Sequence, residues 1–218
     1  MLTLYAWSTP NGYKPMILLE ELGLRHSLVR VDLRAEEQKT TAFLAINPNG
    51  KIPVLYDSDT DLTVFESGAI LLHLAEQHGR FLPTDPAGRA ATLTWLFFQM
   101  ASVGPMLGQA AHFKSRKDSS PYAWKRFHDE GRWILGVLDQ RLASVPYLAG
   151  AEYSIADIAT WPWIRIVDHF DMDLVEYPHL QAWKERIGAR PAVQRAMAVS
   201  FVAKEQPPAS TPVATPPT

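Results

Sequence analysis

Residues 6–15, AWSTPNGYKP, place hydroxyl, amide and phenol groups between a strand-like run and a helix-like run. A strand-to-helix turn suits chemistry because the first N–H groups of the helix have no partner inside it. This turn contains no cysteine, histidine or carboxylate, so it offers hydrogen bonds rather than a nucleophile or a base. The whole chain lacks cysteine, and any thiol chemistry must therefore use sulfur that a ligand brings.

A second candidate is residues 65–68, where Glu66 and Ser67 meet the first turn of a helix. Free N–H groups and the helix dipole suit a carboxylate there, and Glu66 suits an ammonium. Together the two residues would hold an amino-acid head group. The alternative is that Ser67 is only a helix cap and Glu66 only a partner for the dipole.

A third candidate is the Ile52–Pro53 bond, which follows a turn with another proline and a glycine. A cis X-Pro bond lies only about 0.5–1 kcal/mol above the trans form. A cis bond would turn the preceding backbone outward at the start of a strand, where it can pair with a peptide ligand. The alternative is an ordinary trans proline that opens the strand.

The elements that must position these residues change character along the chain. Strand patterns at 2–7, 27–32, 54–57 and 62–65 alternate with helix patterns at 16–22, 40–44 and 66–78, which gives the order βαβαββα. From Pro86 onward, strand alternation stops and long amphipathic segments follow at 87–113, 121–142, 155–170, 180–189 and 192–201.

We therefore expect an α+β protein with two domains. Residues 1–80 form a thioredoxin-like domain, 81–87 a linker with two prolines, and 88–203 an all-helical domain. Residues 204–218 are rich in proline and lack large aromatic residues, so we expect a disordered tail. A proline-rich docking segment is the alternative for the tail.

The charge balance and the hydrophobic pattern of the chain limit the classes of partner that it could bind. Lys plus Arg (21) nearly balance Asp plus Glu (23), which argues against a nucleic-acid partner. We see neither a secretory leader nor an apolar run of about 18 residues, so we expect a cytoplasmic protein with no membrane partner.

Several other motifs are interpreted as structural. The spacing S-x-x-D at 154–157 is that of a capping box, and Trp161, Trp163 and Trp183 lie in apolar helical patterns typical of a core. The run HFDMD at 169–173 has no further ligand cluster near it, so we predict a loop there and no metal site.

Motifs in a specific order carry a family resemblance. They are the turn after the first strand, NPNGKIPVL at 47–55, FESGAILLHLAE at 65–76, SIADIATWPW at 154–163 and YPHLQAWKERIGARPAVQRA at 177–196. Over residues 1–203 the chain resembles the cytosolic glutathione transferases. Residues 8–15 and 95–113 resemble the nu-class subgroup, which includes bacterial disulfide-bond oxidoreductases and the yeast nitrogen-regulating prion protein. The resemblance implies a homodimer that uses glutathione.

The resemblance assigns the turn to the sulfur of bound glutathione. It implies that Thr9 stands where serine-type members keep their catalytic hydroxyl, and that Asn11 adds a second polar contact. Hydrogen bonds to an anion and the N-terminus of a helix favour the thiolate of a thiol whose free pKa is about 8.5. The alternative is that both residues only cap the helix and shape the turn.

The remaining glutathione contacts are also implied by the resemblance. The backbone of Ile52, before Pro53, would meet the cysteinyl part, and Glu66 and Ser67 would hold the γ-glutamyl end. The glycyl end would lie toward Gln38 and Lys51. Arg132, on the second long helix of the helical domain, matches an arginine that reaches the site; a solvated surface arginine is the alternative.

Three functions remain open at this point. The first is a glutathione-dependent disulfide-bond oxidoreductase that acts on small disulfides, which the subgroup motifs favour. The second is a transferase or peroxidase in which Met100, Met106 and Phe113 would line a pocket for electrophiles or organic hydroperoxides. The third is a glutathione-binding regulatory protein with little catalysis, because a fold alone does not establish activity.

Overall fold

The computed structural model of the 218-residue chain describes residues 1–114 and 120–201. Its sheet contains β1 (Leu2–Ala6), β2 (His26–Arg30), β3 (Val54–Asp57) and β4 (Leu62–Phe65) in the order β2-β1-β3-β4. β1 pairs parallel with β2 and antiparallel with β3, and β4 pairs antiparallel with β3. The sheet therefore presents the end of β1, and the turn that follows it, at the middle of one edge.

The helices of this part are α1 (Pro10–Leu22), α2 (Thr41–Ile46) and α3 (Ser67–His78), with a 3₁₀ turn at Glu37–Lys39. This confirms the predicted order βαβαββα. α1 begins at Pro10 rather than at 16, because the Thr9 hydroxyl accepts the Gly12 N–H at 3.2 Å and Pro10 suits the first helical position. The turn at 8–15 thus belongs largely to the first turns of the helix.

The remaining part is helical, which confirms the predicted fold class. Its helices are α4 (Pro86–Phe98), α5 (Gly104–Lys114), α6 (Pro121–Leu142), α7 (Ile155–Ile164), α8 (Pro178–Gly188) and α9 (Pro191–Met197). A π-helical segment, Gln99–Val103, joins α4 to α5. The helix predicted over 155–170 is shorter, because the backbone leaves the helical region at Ile166 (φ −114°, ψ 14°) before a 3₁₀ turn at Val167–Phe170.

The two parts share one hydrophobic core. α1 packs on α3, α7 and α9, and a continuous cluster of buried side chains runs from Leu4 in β1 to Trp183 in α8. Arg190 binds Glu21 through two hydrogen bonds of 2.6 and 3.0 Å across the same contact. The cleft between the sheet part and the helical part is therefore bounded by firmly packed walls.

The capping box is confirmed. Ser154 Oγ accepts the Ala156 N–H, and the Asp157 carboxylate accepts the Ser154 N–H at 3.0 Å. Asp157 is buried and also accepts the Leu148 N–H and the Trp183 indole N–H. The motif fixes the start of α7. The predicted tail at 204–218 lies outside the described residues.

The continuous helix Pro86–Lys114 has the length and apolar composition of a membrane span, and a third of its most apolar window (33%) is buried. Its buried residues include Leu96, Val103, Leu107 and Ala110, which join the shared core. Gln99 and His112 of the same helix line the cleft. We interpret it as a core helix that also forms one wall of the site.

Candidate functional site

The cleft contains two adjoining cavities. The first has a volume of about 510 Å³ and extends from the start of α3 along α5; the second, about 560 Å³, lies beneath the 3₁₀ turn at Glu37–Lys39. The residues that line both cavities are Asn11, Lys51, Ile52, Gly108 and Trp163. The turn after β1 therefore stands where the two cavities meet.

Asn11 is held by an unexpected partner at this junction. The Trp163 indole N–H donates to Asn11 Oδ1 at 3.1 Å. An indole can only donate, so the oxygen of the Asn11 amide is identified by this contact. The amide nitrogen, a donor, is then the end of the side chain that remains for a ligand. Thr9 lines the second cavity, and its hydroxyl caps α1 at Gly12.

Glycines make this arrangement possible. A Cβ on Gly12 would lie 2.1 Å from the Trp7 carbonyl oxygen, so α1 can approach β1 this closely only without a side chain there. A Cβ on Gly104 or Gly108 would lie 3.3 Å from the Trp163 ring system. The glycines of α5 thus leave room for the indole. Trp163 is half-buried on the cavity wall, whereas Trp161 and Trp183 are core residues as predicted.

At the other end of the first cavity lies a buried lysine. Lys14 in α1 is 1% exposed, and its ammonium donates to Ser67 Oγ at 3.3 Å and to Gln99 Oε1 at 2.7 Å. Burial lowers the Lys14 pKa to about 7, although the negative charge of Glu66 opposes this shift. No described carboxylate forms an ion pair with it. Lys14 is thus a buried cation with only neutral acceptors.

Gln99 completes this group. Because its Oε1 accepts from Lys14, its Nε2 must be the donor end, and Nε2 is buried with no hydrogen-bond partner in the described part of the chain. Gln99 belongs to the π-helical segment, an irregularity often found at functional sites. Lys14, Ser67 and Gln99, which we call the buried triad, all line the first cavity. The triad therefore suits an anion.

Sequence reasoning missed Lys14, Gln99 and Trp163. Lys14 carried a usable signal, since it is the one charged residue in GYKPMILL at 12–19, a run that the structure buries throughout. Gln99 and Trp163 lie in apolar helical patterns, and only packing against α1 gives them their partners.

The predicted γ-glutamyl and cysteinyl contacts line the first cavity together. Ser67 is 5% exposed at the start of α3, and Glu66 before it has a left-handed backbone (φ 71°) that few residues other than glycine adopt. The Ile52–Pro53 bond is cis, which is the first of the two alternatives weighed from the sequence, and not an ordinary trans proline. Both Ile52 and Pro53 lie on the wall of this cavity.

The predicted glycyl contacts occupy the second cavity. Gln38 and Lys51 line it, and Lys51 also lines the first. The Gln38 side-chain oxygen is buried without a hydrogen-bond partner among the described residues. Lys51 therefore lies at the junction, and Gln38 lies on the wall of the second cavity.

Arg132 is placed elsewhere. Its guanidinium, about half exposed, pairs with Glu176 on the surface of α6, and it lines neither cavity within one chain. In residues 1–114 and 120–201 no three His, Asp or Glu side chains are grouped so that they could hold a metal ion.

Comparison with known proteins identifies the family of the chain. Residues 1–76 match the family model for the glutathione S-transferase N-terminal domain, and residues 123–191 match the model for the C-terminal domain. The chain is 46% identical over 203 residues to the disulfide-bond oxidoreductase YfcG of Escherichia coli strain K12, a match that covers 90% of this chain and 94% of the relative.

Two solved structures are similar throughout. A glutathione transferase family member from Pseudomonas fluorescens, solved with two glutathione bound, is 38% identical with a TM-score of 0.84 and covers 90% of this chain and 92% of its own. A glutathione transferase from Pseudomonas putida, with one glutathione disulfide bound per subunit, is 39% identical with a TM-score of 0.84 and covers 91% of each chain.

Proposed function

We propose that this chain, which belongs to the glutathione S-transferase superfamily and to its nu-like subgroup, is a glutathione-dependent disulfide-bond oxidoreductase acting on small disulfides. The observation that carries the proposal is that Asn11 stands where the two cavities meet. Disulfide exchange needs two sulfur atoms side by side, and a ligand in each cavity would bring its sulfur to this junction. The relatives solved with two glutathione molecules or with glutathione disulfide support this arrangement.

The proposed chemistry uses only sulfur from ligands. The glutathione thiolate attacks one sulfur of the substrate disulfide, a new S–S bond forms, and the other sulfur leaves as a thiolate that takes a proton from water. A second glutathione thiolate attacks the mixed disulfide and releases glutathione disulfide and the second substrate thiolate. Two glutathione molecules supply the two electrons. Because the chain has no cysteine, it cannot be trapped in a mixed disulfide itself.

In this proposal the turn promotes the thiolate. The amide nitrogen of Asn11 and the hydroxyl of Thr9 would donate hydrogen bonds to the sulfur of glutathione at the N-terminus of α1. These hydrogen bonds and the positive potential of the helix N-terminus both favour the thiolate over the thiol. Glu66 and Ser67 would hold the γ-glutamyl end, the Ile52 backbone before Pro53 the cysteinyl part, and Gln38 and Lys51 the glycyl end. Arg132 would join the site only if its pair with Glu176 opened.

A specific observation favours a second candidate. The second cavity is also lined by apolar side chains, Leu33, Ala111, Ile166 and Phe170, which would suit the hydrophobic group of an electrophile or an organic hydroperoxide. The same thiolate would then act as a transferase or peroxidase. A regulatory glutathione-binding role is the third candidate, since neither Thr9 nor Asn11 is an acid or a base.

One comparison of activities tests the proposal. NADPH consumption coupled through glutathione reductase, with glutathione and hydroxyethyl disulfide, is measured beside the conjugation of chlorodinitrobenzene. Fast disulfide turnover with slow conjugation is the expected result. The reverse would favour the transferase, and no activity in either assay together with glutathione binding would favour the regulatory role.

We also propose a homodimer in the cytoplasm, the compartment that keeps glutathione reduced. Phe65 and Phe97 are 38% and 63% exposed, and a small apolar cavity between Leu72 and Phe97 lies beside Glu66. An apolar patch of this kind suits a second copy. Light scattering should show a dimer that Phe97→Asp dissociates, while Val175→Asp, at a site 81% exposed on another face, should leave it intact.

A further inference from the structure

We propose that the buried triad makes glutathione binding depend on proton uptake: Lys14 is a positioning residue whose ammonium receives the α-carboxylate of the γ-glutamyl group. This inference rests on the proposed glutathione site and deepens it. The geometry points to it because Lys14, Ser67 and Gln99 all line the first cavity, and the Lys14 ammonium contacts the other two side chains.

The triad lacks negative charge. The Lys14 ammonium carries three N–H groups, of which two donate to neutral oxygens, at 3.3 Å to Ser67 and at 2.7 Å to Gln99. A buried charge without a counterion is costly, and a ligand carboxylate would supply the counterion. The buried Nε2 of Gln99, which has no partner among the described residues, offers a further donor at the same place.

Charged groups around Lys14 come from several neighbouring elements. From α3, Glu66 is the charged residue that acts on it, and it opposes the effect of burial. From α9, Arg190 and Arg195 bind Glu21 and Glu20 of α1 itself.

Other elements near α1 also contribute charged and titratable groups. From α7, Asp157 binds Leu148 and Trp183, and Arg165 lies over the Tyr13 ring. From the cavity wall, Lys51 and His112 face the same space. His112 is therefore the competing source of a pH effect that the experiment must separate.

Burial gives Lys14 a pKa of about 7, so the free protein holds a neutral amine there in much of the population above that pH. Only the protonated form attracts a carboxylate. Binding would then take one proton from solvent, and the apparent affinity would fall with the protonated fraction of Lys14.

The experiment is calorimetric titration of the full chain with S-methylglutathione between pH 6.5 and 8.5, in buffers of different ionisation enthalpy. The methylated ligand removes the thiol, whose own ionisation would release a proton. We expect uptake that approaches one proton per ligand at pH 8, and affinity about tenfold weaker at pH 8 than at pH 6.5.

A ligand control isolates the carboxylate. The S-methylated analogue in which γ-aminobutyrate replaces the γ-glutamyl group lacks only the α-carboxylate, and it should bind weakly without proton uptake. Lys14→Met should bind S-methylglutathione with an affinity that no longer changes between pH 6.5 and 8.5, whereas Lys125→Met, at an exposed lysine on α6, should behave as wild type. The wild-type and ligand comparisons decide the matter even if Lys14→Met does not fold.

Clear results would overturn the inference. Wild-type binding without proton uptake would reject it and leave the proposed function standing. Loss of the pH effect in His112→Gln, with its retention in Lys14→Met, would assign the proton to the imidazole instead. Failure of both glutathione and S-methylglutathione to bind would reject the proposed function together with this inference.

Discussion

The two ends of the first cavity offer negative charge different environments. At the inner end, Lys14 and Gln99 are almost fully buried, and burial lowers the pKa of the Lys14 amine to about 7, so that its protonated form carries a positive charge there. At the outer end, Asn11 and Trp163 are half-buried and present neutral dipoles at the start of α1, and Lys51 lines the same junction. The inner end is buried from water and holds an ionisable amine, whereas Asn11 and Trp163 at the outer end are partly exposed and neutral.

This difference in burial and charge suits the inner end to binding glutathione and the outer end to the reaction of its sulfur. A buried charge gives strong, specific attraction because water does not screen it, so the inner end suits an anchor. A thiolate must instead remain reactive and reachable by the substrate disulfide, and neutral donors stabilise it without pairing it to a cation. The protein would thus hold glutathione by its charged end and leave the sulfur at the junction of the cavities.

The largest effect is expected from placing negative charge at the outer end. Asn11→Asp keeps an oxygen for the Trp163 indole but turns a donor toward the sulfur into an anion. We expect kcat/KM for disulfide reduction to fall about 1000-fold, the upper end of the range for a lost stabilising donor, because a repelling charge is added as well. Ultraviolet titration of bound glutathione should show a higher thiol pKa.

Asn11→Ala is the matched control for that change, and its loss should be smaller because it removes the donor without adding charge. Equal activity in wild type and both variants would contradict the assignment of the thiol site to this turn.

Lys14, at the inner end, should make the free energy of unfolding depend on pH. The Lys14 pKa is lowered to about 7 on folding, so between about pH 7 and 10.5 the unfolded chain holds a proton that the folded chain lacks. The contribution of Lys14 to the free energy of unfolding therefore rises by about 1.4 kcal/mol per pH unit in this window and is flat below it.

Lys14→Met should remove this slope. Urea unfolding of ligand-free wild type and variant at pH 6.5, 7.5 and 8.5 measures the difference, in which other titrating groups cancel. Parallel curves for the two proteins would show that Lys14 is protonated throughout and would contradict the lowered pKa.

Ser67→Ala should weaken binding more than turnover. The change removes a hydroxyl that the Lys14 ammonium contacts, while the N–H groups at the start of α3 remain. We expect the Kd of glutathione to rise about tenfold, near 1.4 kcal/mol, with kcat nearly unchanged. Ser144→Ala, at an exposed serine after α6, should change neither constant.

The smallest effect is expected from the support of Asn11. Trp163→Phe keeps an aromatic ring on the wall but removes the N–H that orients the amide, and a neutral hydrogen bond of about 0.5–1.5 kcal/mol corresponds to a loss of a few-fold in kcat/KM. Trp161→Phe also removes one indole hydrogen bond, to the Lys184 carbonyl. It should lower stability and leave turnover at the wild-type value, and the reverse pattern would contradict the assignment.

The sequence by itself determined the order of the helices and strands, and the change at Pro86 from mixed strands and helices to helices alone. These depend on local periodicity, caps and breakers, which are properties of neighbouring residues: Thr9 caps α1, and Ser154 and Asp157 cap α7. The candidate residues Asn11, Ile52, Glu66 and Ser67 were also visible, because each lies in a turn or at a helix start and joins a family motif.

Only the tertiary structure decided which residues complete the site. Lys14, Gln99 and Trp163 come from α1, the π-helical segment and α7, and their hydrogen bonds join positions far apart in the chain. Arg132 shows the converse, since a motif match could not reveal that its guanidinium pairs with Glu176. Local pattern decides where a helix begins, but which side chain becomes a buried charge depends on what packs against it, and that is a property of the folded chain.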